Sequence, residues 1–199
     1  MKKLSTYLFL LLFSFSAPSF ADDIRDFQIE GMSIGSSALD YFSEEQIKSS
    51  RMYTYKSDKY YSVDLWDDNL KNFKAIQGHF KKNDNQYKFH GISGALTFGL
   101  SGVENINTEK ECVRHMRIIE KDIDNLFSNA KKQNQDYVGN DLDPKAMTFE
   151  VIYLLEDGEI WMQCVKWSKK YKEEGNFYDN LRLTILNKQF TIWMDTKAY

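Results

Sequence analysis

The chain has 199 residues, 26 Lys and Arg against 29 Asp and Glu, a net charge of −3, and two cysteines. A weakly acidic chain with no basic cluster is a poor partner for nucleic acid or anionic lipid, both of which reward clustered Lys and Arg. With 42% hydrophobic and 15% aromatic residues and only two prolines, the composition is that of a folded domain and not of a disordered chain.

Residues 1–21 carry the three parts of a signal peptide. Lys2 and Lys3 open it, and Leu4–Phe15 is apolar apart from Ser5, Thr6 and Ser14. Ser19 and Ala21 then occupy the −3 and −1 positions of a signal-peptidase site. Cleavage is expected after Ala21. It leaves residues 22–199, with 24 basic residues against 29 acidic and a net charge of −5. The residue directly after the cleavage point is Asp22 and not the cysteine of a lipoprotein, and no later run approaches the ~20 apolar residues of a membrane span. The expected location is the periplasm or the cell exterior, with no transmembrane anchor once the signal is removed.

The remaining 178 residues suit a single domain, or two small lobes sharing a core at 22–104 and 105–199. After a short lead-in with Ile24, Phe27 and Ile29, the segment Gly31-Met32-Ser33-Ile34-Gly35 turns into a short helix expected at Ser36–Phe42. Ser43-Glu44-Glu45-Gln46 is a capping box that opens a second short helix running to about Ser50. From residue 51 the period becomes alternating. Met52–Tyr55 is a possible strand. In Lys59–Trp66, Tyr61, Val63 and Leu65 face one way and Tyr60, Ser62 and Asp64 the other. Phe73–Lys82 and Gln86–Leu100 read as two further strands around an Asn83-Asp84-Asn85 loop, and Gly91, Gly94 and Gly99 suggest a bulge or a close backbone contact.

A long helix is predicted over Thr108–Lys132, started by the capping box Thr108-Glu109-Lys110-Glu111. Cys112, Met116, Ile119, Ile123, Phe127 and Ala130 recur every three or four residues and make one apolar stripe. Lys131–Asp143 is polar and is expected to be a loop. Ala146–Leu155 and Glu159–Trp167 flank Glu156-Asp157-Gly158, a hairpin signal. Both faces of the second run are apolar, with Ile160, Met162 and Cys164 on one and Trp161, Val165 and Trp167 on the other, so that strand should be central. Lys169–Gly175 reads as a charged loop, Asp179–Leu186 as the last strand and Asn187–Thr196 as a short terminal helix. The fold class is therefore α+β, read as two helix-plus-antiparallel-meander units in tandem.

Two cysteines in an exported chain pair most simply with each other, so a Cys112–Cys164 disulfide is expected. A redox role would call for a C-x-x-C motif, which the chain lacks. Gly31–Gly35 matches the G-x-S-x-G nucleophile elbow, but Ser33 has no strands before it and no histidine late in the chain, since the last is His115. A turn with a capping serine is the simpler reading. His79, His90 and His115 have no metal-ligand spacing; in the simplest hairpin register His79 is near-opposite His90. Asp64, Asp67, Asp68, Asp84, Asp141 and Asp143 are scattered over strand ends, turns and loops and single out no acid–base pair. No phosphate or dinucleotide fingerprint is present, and no metal or cofactor is expected. Tyr53, Tyr55, Tyr60, Tyr61 and Trp66 cluster early, as sheet-filling residues or as a binding surface.

The opening Ile29-Glu30-Gly31-Met32-Ser33-Ile34-Gly35-Ser36-Ser37-Ala38-Leu39-Asp40-Tyr41-Phe42, with Ser43–Ile47 and the later Glu111-Cys112 and Gln163-Cys164, resembles uncharacterised small exported proteins of AT-rich marine bacteria. That resemblance covers most of residues 22–199 and implies no activity. The Gly-Met-Ser turn into a two-helix corner before a meander is similar to BamE/SmpA-like lipoproteins and the β-lactamase inhibitor protein over about 20 residues. It implies a binding module, without the lipid anchor, because the lipobox cysteine is missing. The expectation is a non-catalytic binding or interaction module of the cell envelope, with an envelope protein or small ligand as partner. The alternatives are a small envelope hydrolase using Ser33 or surface carboxylates, and an assembly or stress factor at the outer membrane.

Overall fold

Alternation along the strands decides how this sheet is covered, because residues two apart share a face. A computed structural model describes residues 23–50, 52–73, 75–97, 108–139, 143–175 and 177–198. The expected signal peptide, Gly99 and Asp141 lie outside them. Within the described residues eight strands form one antiparallel sheet: β1 (Met52–Thr54), β2 (Tyr60–Trp66), β3 (Ala75–Lys81), β4 (Phe89–Thr97), β5 (Lys131–Val138), β6 (Met147–Leu154), β7 (Gly158–Lys166) and β8 (Asn180–Asn187). Their order is β1-β2-β3-β4-β8-β7-β6-β5, with β4 and β8 paired antiparallel at the centre. Among the described residues four α-helices accompany them: α1 (Glu44–Ser49), α2 (Glu109–Leu126), α3 (Lys169–Gly175) and α4 (Lys188–Lys197). The coarse reading, α+β with an antiparallel sheet, is what the structure shows.

One face of the sheet carries the larger core. Val63, Leu65, Ile76, Phe80, Ile92, Val151, Ile160, Met162 and Ile185 are all buried there. Against them pack Ile24, Phe27, Ile29 and Met32 from the N-terminal segment, Ile47 from α1, and the stripe Cys112, Met116, Ile119 and Ile123 of α2. Both capping boxes close as their sequences require. Ser43 Oγ accepts from Gln46 N at 3.2 Å while Gln46 Oε1 accepts from Ser43 N at 2.8 Å. Thr108 Oγ1 accepts from Glu111 N at 3.2 Å, and Glu111 Oε2 accepts from Thr108 N at 3.1 Å. Such caps satisfy amides that the first turn leaves unpaired and contribute about 1 kcal/mol each. Cys112, in the first turn of α2, and Cys164 on β7 meet at 2.04 Å between sulfurs, disulfide-bonding distance, across 52 positions of chain.

The other face carries a smaller core at one end. Tyr60, Leu186, Phe190, Trp193 and Ala198 are buried there with Tyr55 and Trp161 against them, so α4 lies over this end of β4, β8 and β7. Asn187 caps α4 by accepting from Phe190 N at 2.8 Å. Lys56 N donates to Ala198 O at 3.0 Å, which pins the end of the helix beside the first strands.

Several boundaries differ from the sequence expectation, each for a physical reason. The predicted loop at Lys131–Asp143 begins as strand β5, paired with β6 from Lys131↔Leu154 to Val138↔Met147. It is an edge strand with almost every side chain exposed, so its backbone ladder leaves no alternation to read, and charged edges of this kind resist further strand addition. The long helix stops at Leu126, where Phe127 N donates to Ile123 O, so Ala130 is not part of its stripe. The predicted charged loop at Lys169–Gly175 is helix α3, and the helix expected at Ser36–Phe42 is only a 3-10 turn at Ala38–Asp40. The β3–β4 hairpin slips at a bulge. His79 faces Gly91 and Phe80 faces Phe89, so His90 is the extra residue and not the partner of His79. Gly94 makes the close contact expected of that strand: a Cβ there would fall 2.7 Å from the Phe73 ring.

Candidate functional site

The sheet face beyond α4 is where polar groups gather. The register sets a continuous row across it. Trp66 stands opposite Ala75, Ala95 opposite Arg182, Arg182 opposite Gln163, Gln163 opposite Glu150, and Glu150 opposite Gln135. In the adjacent row Asp64 faces Gln77 and Ser93 faces Thr184. Neighbours in these rows bond to each other. Asp64 accepts from Tyr53 Oη at 2.8 Å and from Gln77 Nε2 at 3.0 Å. Ser93 and Thr184 hydroxyls share a 2.9 Å bond, and Glu150 accepts from the amides of both Gln135 and Gln163.

Arg182 is the exception. Its half-buried guanidinium makes no hydrogen bond or ion pair with any described residue. Burial pushes its pKa down, and the charges of Asp64 and Tyr53 push it back up only through space. Two residues away on the same face, Asn180 Oδ1 is a buried acceptor without a donor; its amide nitrogen donates to Tyr178 O at 2.9 Å. Buried polar atoms in folded proteins are nearly always paired, so two incomplete groups this close mark an unusual place.

Beside them lies a cleft of about 630 Å³. Ala75, Ala95 and Thr97 form its floor, and Trp66 and Tyr178 flank it, with 63% and 44% of their surfaces exposed. Asp67 and Asp68 stand at its rim. Exposed Trp and Tyr beside a concave surface are the residue types that anchor partners. A second cavity of about 480 Å³ gathers Lys145, Lys166, Lys169 and Lys172 around Trp167. No basic cluster is legible along the chain, yet folding makes one from a loop, the end of β7 and α3. Its charges are largely answered: Lys166 reaches Glu109 at 3.3 Å, Lys172 reaches Asp179 at 2.8 Å and Lys169 reaches Glu173 at 3.7 Å.

The residues singled out by sequence fall elsewhere. Ser33 lies in a turn framed by Gly31 and Gly35, whose φ values of +82° and +85° favour glycine. Its backbone bonds to Ser36 Oγ, and its hydroxyl makes no hydrogen bond among the described residues. His79 and His90 belong to the smaller core, on the other side of the sheet from Ser33. His79 is 7% exposed, bonds through Nδ1 to Tyr55 Oη at 3.0 Å and lies against Phe190. Burial, aided by the Arg182 charge, pushes its pKa down to about 3 and keeps it neutral. His90 bonds to Asn187 at 2.9 Å, and His115 lies on α2 beside Arg114. Asp143 is buried and accepts from Lys145 N at 3.0 Å and Ser168 N at 2.8 Å, the work of a structural tie. Among the described residues no three His, Cys, Asp or Glu side chains converge on a point that could hold a metal, and no helix is long and apolar enough to cross a membrane.

Compared with protein-family models, curated proteins and solved structures, the chain matches none.

Proposed function

We propose that this protein is a non-catalytic binding module of the cell envelope, and that its binding surface is the sheet face beyond α4. The carrying observation is the junction of an aromatic-flanked cleft with Arg182, a half-buried cation that has no partner within the described residues. Binding surfaces concentrate their energy in a few aromatic and Arg residues, and this face offers both types together. The chain order, α1 then β1–β4 and α2 then β5–β8 with α3 inserted before β8, and the pairing of the last strands of the two sets, support a reading as two helix-plus-meander units sharing one sheet. Fusion at β4–β8 turns two half-sheets into one wide platform. The opening that resembles BamE/SmpA-like and inhibitor-protein-like domains points the same way. An exported setting fits the signal-like residues 1–21 and the paired cysteines.

The test is capture from an envelope extract of the native host by wild type, by Trp66→Ala with Tyr178→Ala, and by Lys121→Ala on the exposed side of α2. All three should melt within a few degrees of one another, since the changed side chains are exposed. A retained species lost only with the aromatic pair supports the reading. Equal capture by all three, or none by the wild type, refutes it.

A further inference from the structure

Resting on that reading, we propose that Arg182 is the recognition centre of the face and takes a single carboxylate, the Asp or Glu side chain of an acidic segment in a partner protein. Four observations lead there. Arg182 lies on β8, between β4 and β7, so it stands near the middle of the platform rather than at its rim. The two carboxylates nearest in the rows are already engaged by neutral donors, Asp64 by Tyr53 and Gln77, and Glu150 by Gln135 and Gln163. They are held in place yet leave the guanidinium unanswered. Its cross-strand neighbour Ala95 is small and continues into the cleft floor with Ala75, which leaves room above for an incoming group. A guanidinium removed partly from water is costly unless paired, and its planar fork suits a carboxylate held by two bonds.

The charge inventory decides the class of ligand. No second Lys or Arg stands in the row of Arg182 or in the rows on either side of it among the described residues. Asp64 acts on it through space, and Asp67 and Asp68 line the cleft that begins at its neighbour Ala95. One cation amid acids suits a singly charged group and disfavours a phosphate, which carries more charge and is ordinarily held by several cations. The apolar cleft between Trp66 and Tyr178 would take the side chain next to the carboxylate. A polypeptide also carries the amide N–H groups that Asn180 Oδ1 lacks.

The experiment follows the Arg182 Nε–Hε signal, assigned by its absence from Arg182→Gln, during titration at fixed ionic strength with acetyl-Gly-Glu-Gly-amide, its Gln counterpart and inorganic phosphate. The expected result is a saturable shift with the Glu peptide at concentrations up to about 100 mM. The Gln peptide should give none, and Arg182→Lys should bind about tenfold more weakly by the shifts of neighbouring amides. No shift, an equal shift with the Gln peptide, or tighter binding of phosphate overturns the proposal. The two readings fail separately. Loss of the carboxylate response with face-dependent capture intact removes only the role of Arg182. A carboxylate response without face-dependent capture leaves an anion site and removes the partner-binding function.

Discussion

Reducing the Cys112–Cys164 pair tests how the outer half of the sheet is held. The link joins the first turn of α2 to β7, and the enclosed chain holds β5, β6 and most of β7. Both residues are buried, at 0% and 2% exposure, so reduction has to be carried out in denaturant and followed by refolding with reductant present. The folded state then keeps both sulfur atoms, with no cavity of the kind a Cys→Ala change would leave. The cost falls on the unfolded state instead, which recovers the freedom of a loop closed across 52 positions. The chain-entropy relation gives about 4 kcal/mol for a loop of that size. With a urea dependence of about 2 kcal/mol per molar, the midpoint should fall by about 2 M and the slope should rise, because the reduced unfolded chain exposes more surface. Tryptophan fluorescence during urea unfolding, oxidised against reduced, gives the number. A loss below about 1 kcal/mol would refute the argument. Thiol counting on oxidised, denatured protein should find no free cysteine.

Three other outcomes follow from particular contacts. His79 refuses a proton down to about pH 3, whereas the unfolded chain accepts one below about 6.5, so between these values the unfolded state binds more protons. Stability should be full above pH 6.5 and fall on acidification, by up to about 1.4 kcal/mol per pH unit, with His90 adding the same sign because its pKa is also lowered by burial. Urea unfolding between pH 6.5 and 5 should show this slope and a smaller one in His79→Gln; equal slopes would contradict the assignment. Gly158→Ala should cost at least about 2 kcal/mol, because its Cβ would stand 2.3 Å from the Leu186 carbonyl oxygen and backbone of β8 would have to move; an unchanged urea midpoint would show that β7 and β8 can part without penalty. Arg182→Gln should leave stability unchanged or raise it by about 0.5–1 kcal/mol, since it removes a cation that no described residue pairs. A loss beyond about 1 kcal/mol would make the arginine a structural residue.

The sequence made legible what local chemistry controls. Ser43 and Thr108 announced their helices because capping acts within four residues. Val63, Leu65, Leu181, Leu183 and Ile185 announced their strands because one face of each is buried. Strand β5 was hidden because nothing along it is buried, and α3 because Lys169–Gly175 has no apolar stripe. The bulge at His79 and Phe80 shifted the β3–β4 register by one residue, which no pattern in either strand foretells. The candidate site was hidden for a longer-range reason. In Leu181-Arg182-Leu183, the arginine reads as an ordinary outward-facing residue of an alternating strand. Only the pairing of β8 between β4 and β7 carries it to the middle of the platform, beside Ala95 and within reach of a cleft built from β2, β3 and β4.

The claim that this face is where the protein meets its partner is tested most directly by crosslinking in the native host. A photoreactive phenylalanine would replace Trp66 or Tyr178, aromatic for aromatic, with Lys121 on α2 as the position facing away. The account predicts a discrete protein adduct from positions 66 and 178, absent at 121 and lost when Arg182→Gln is added. Adducts from position 121 alone, or none from the face, would contradict it.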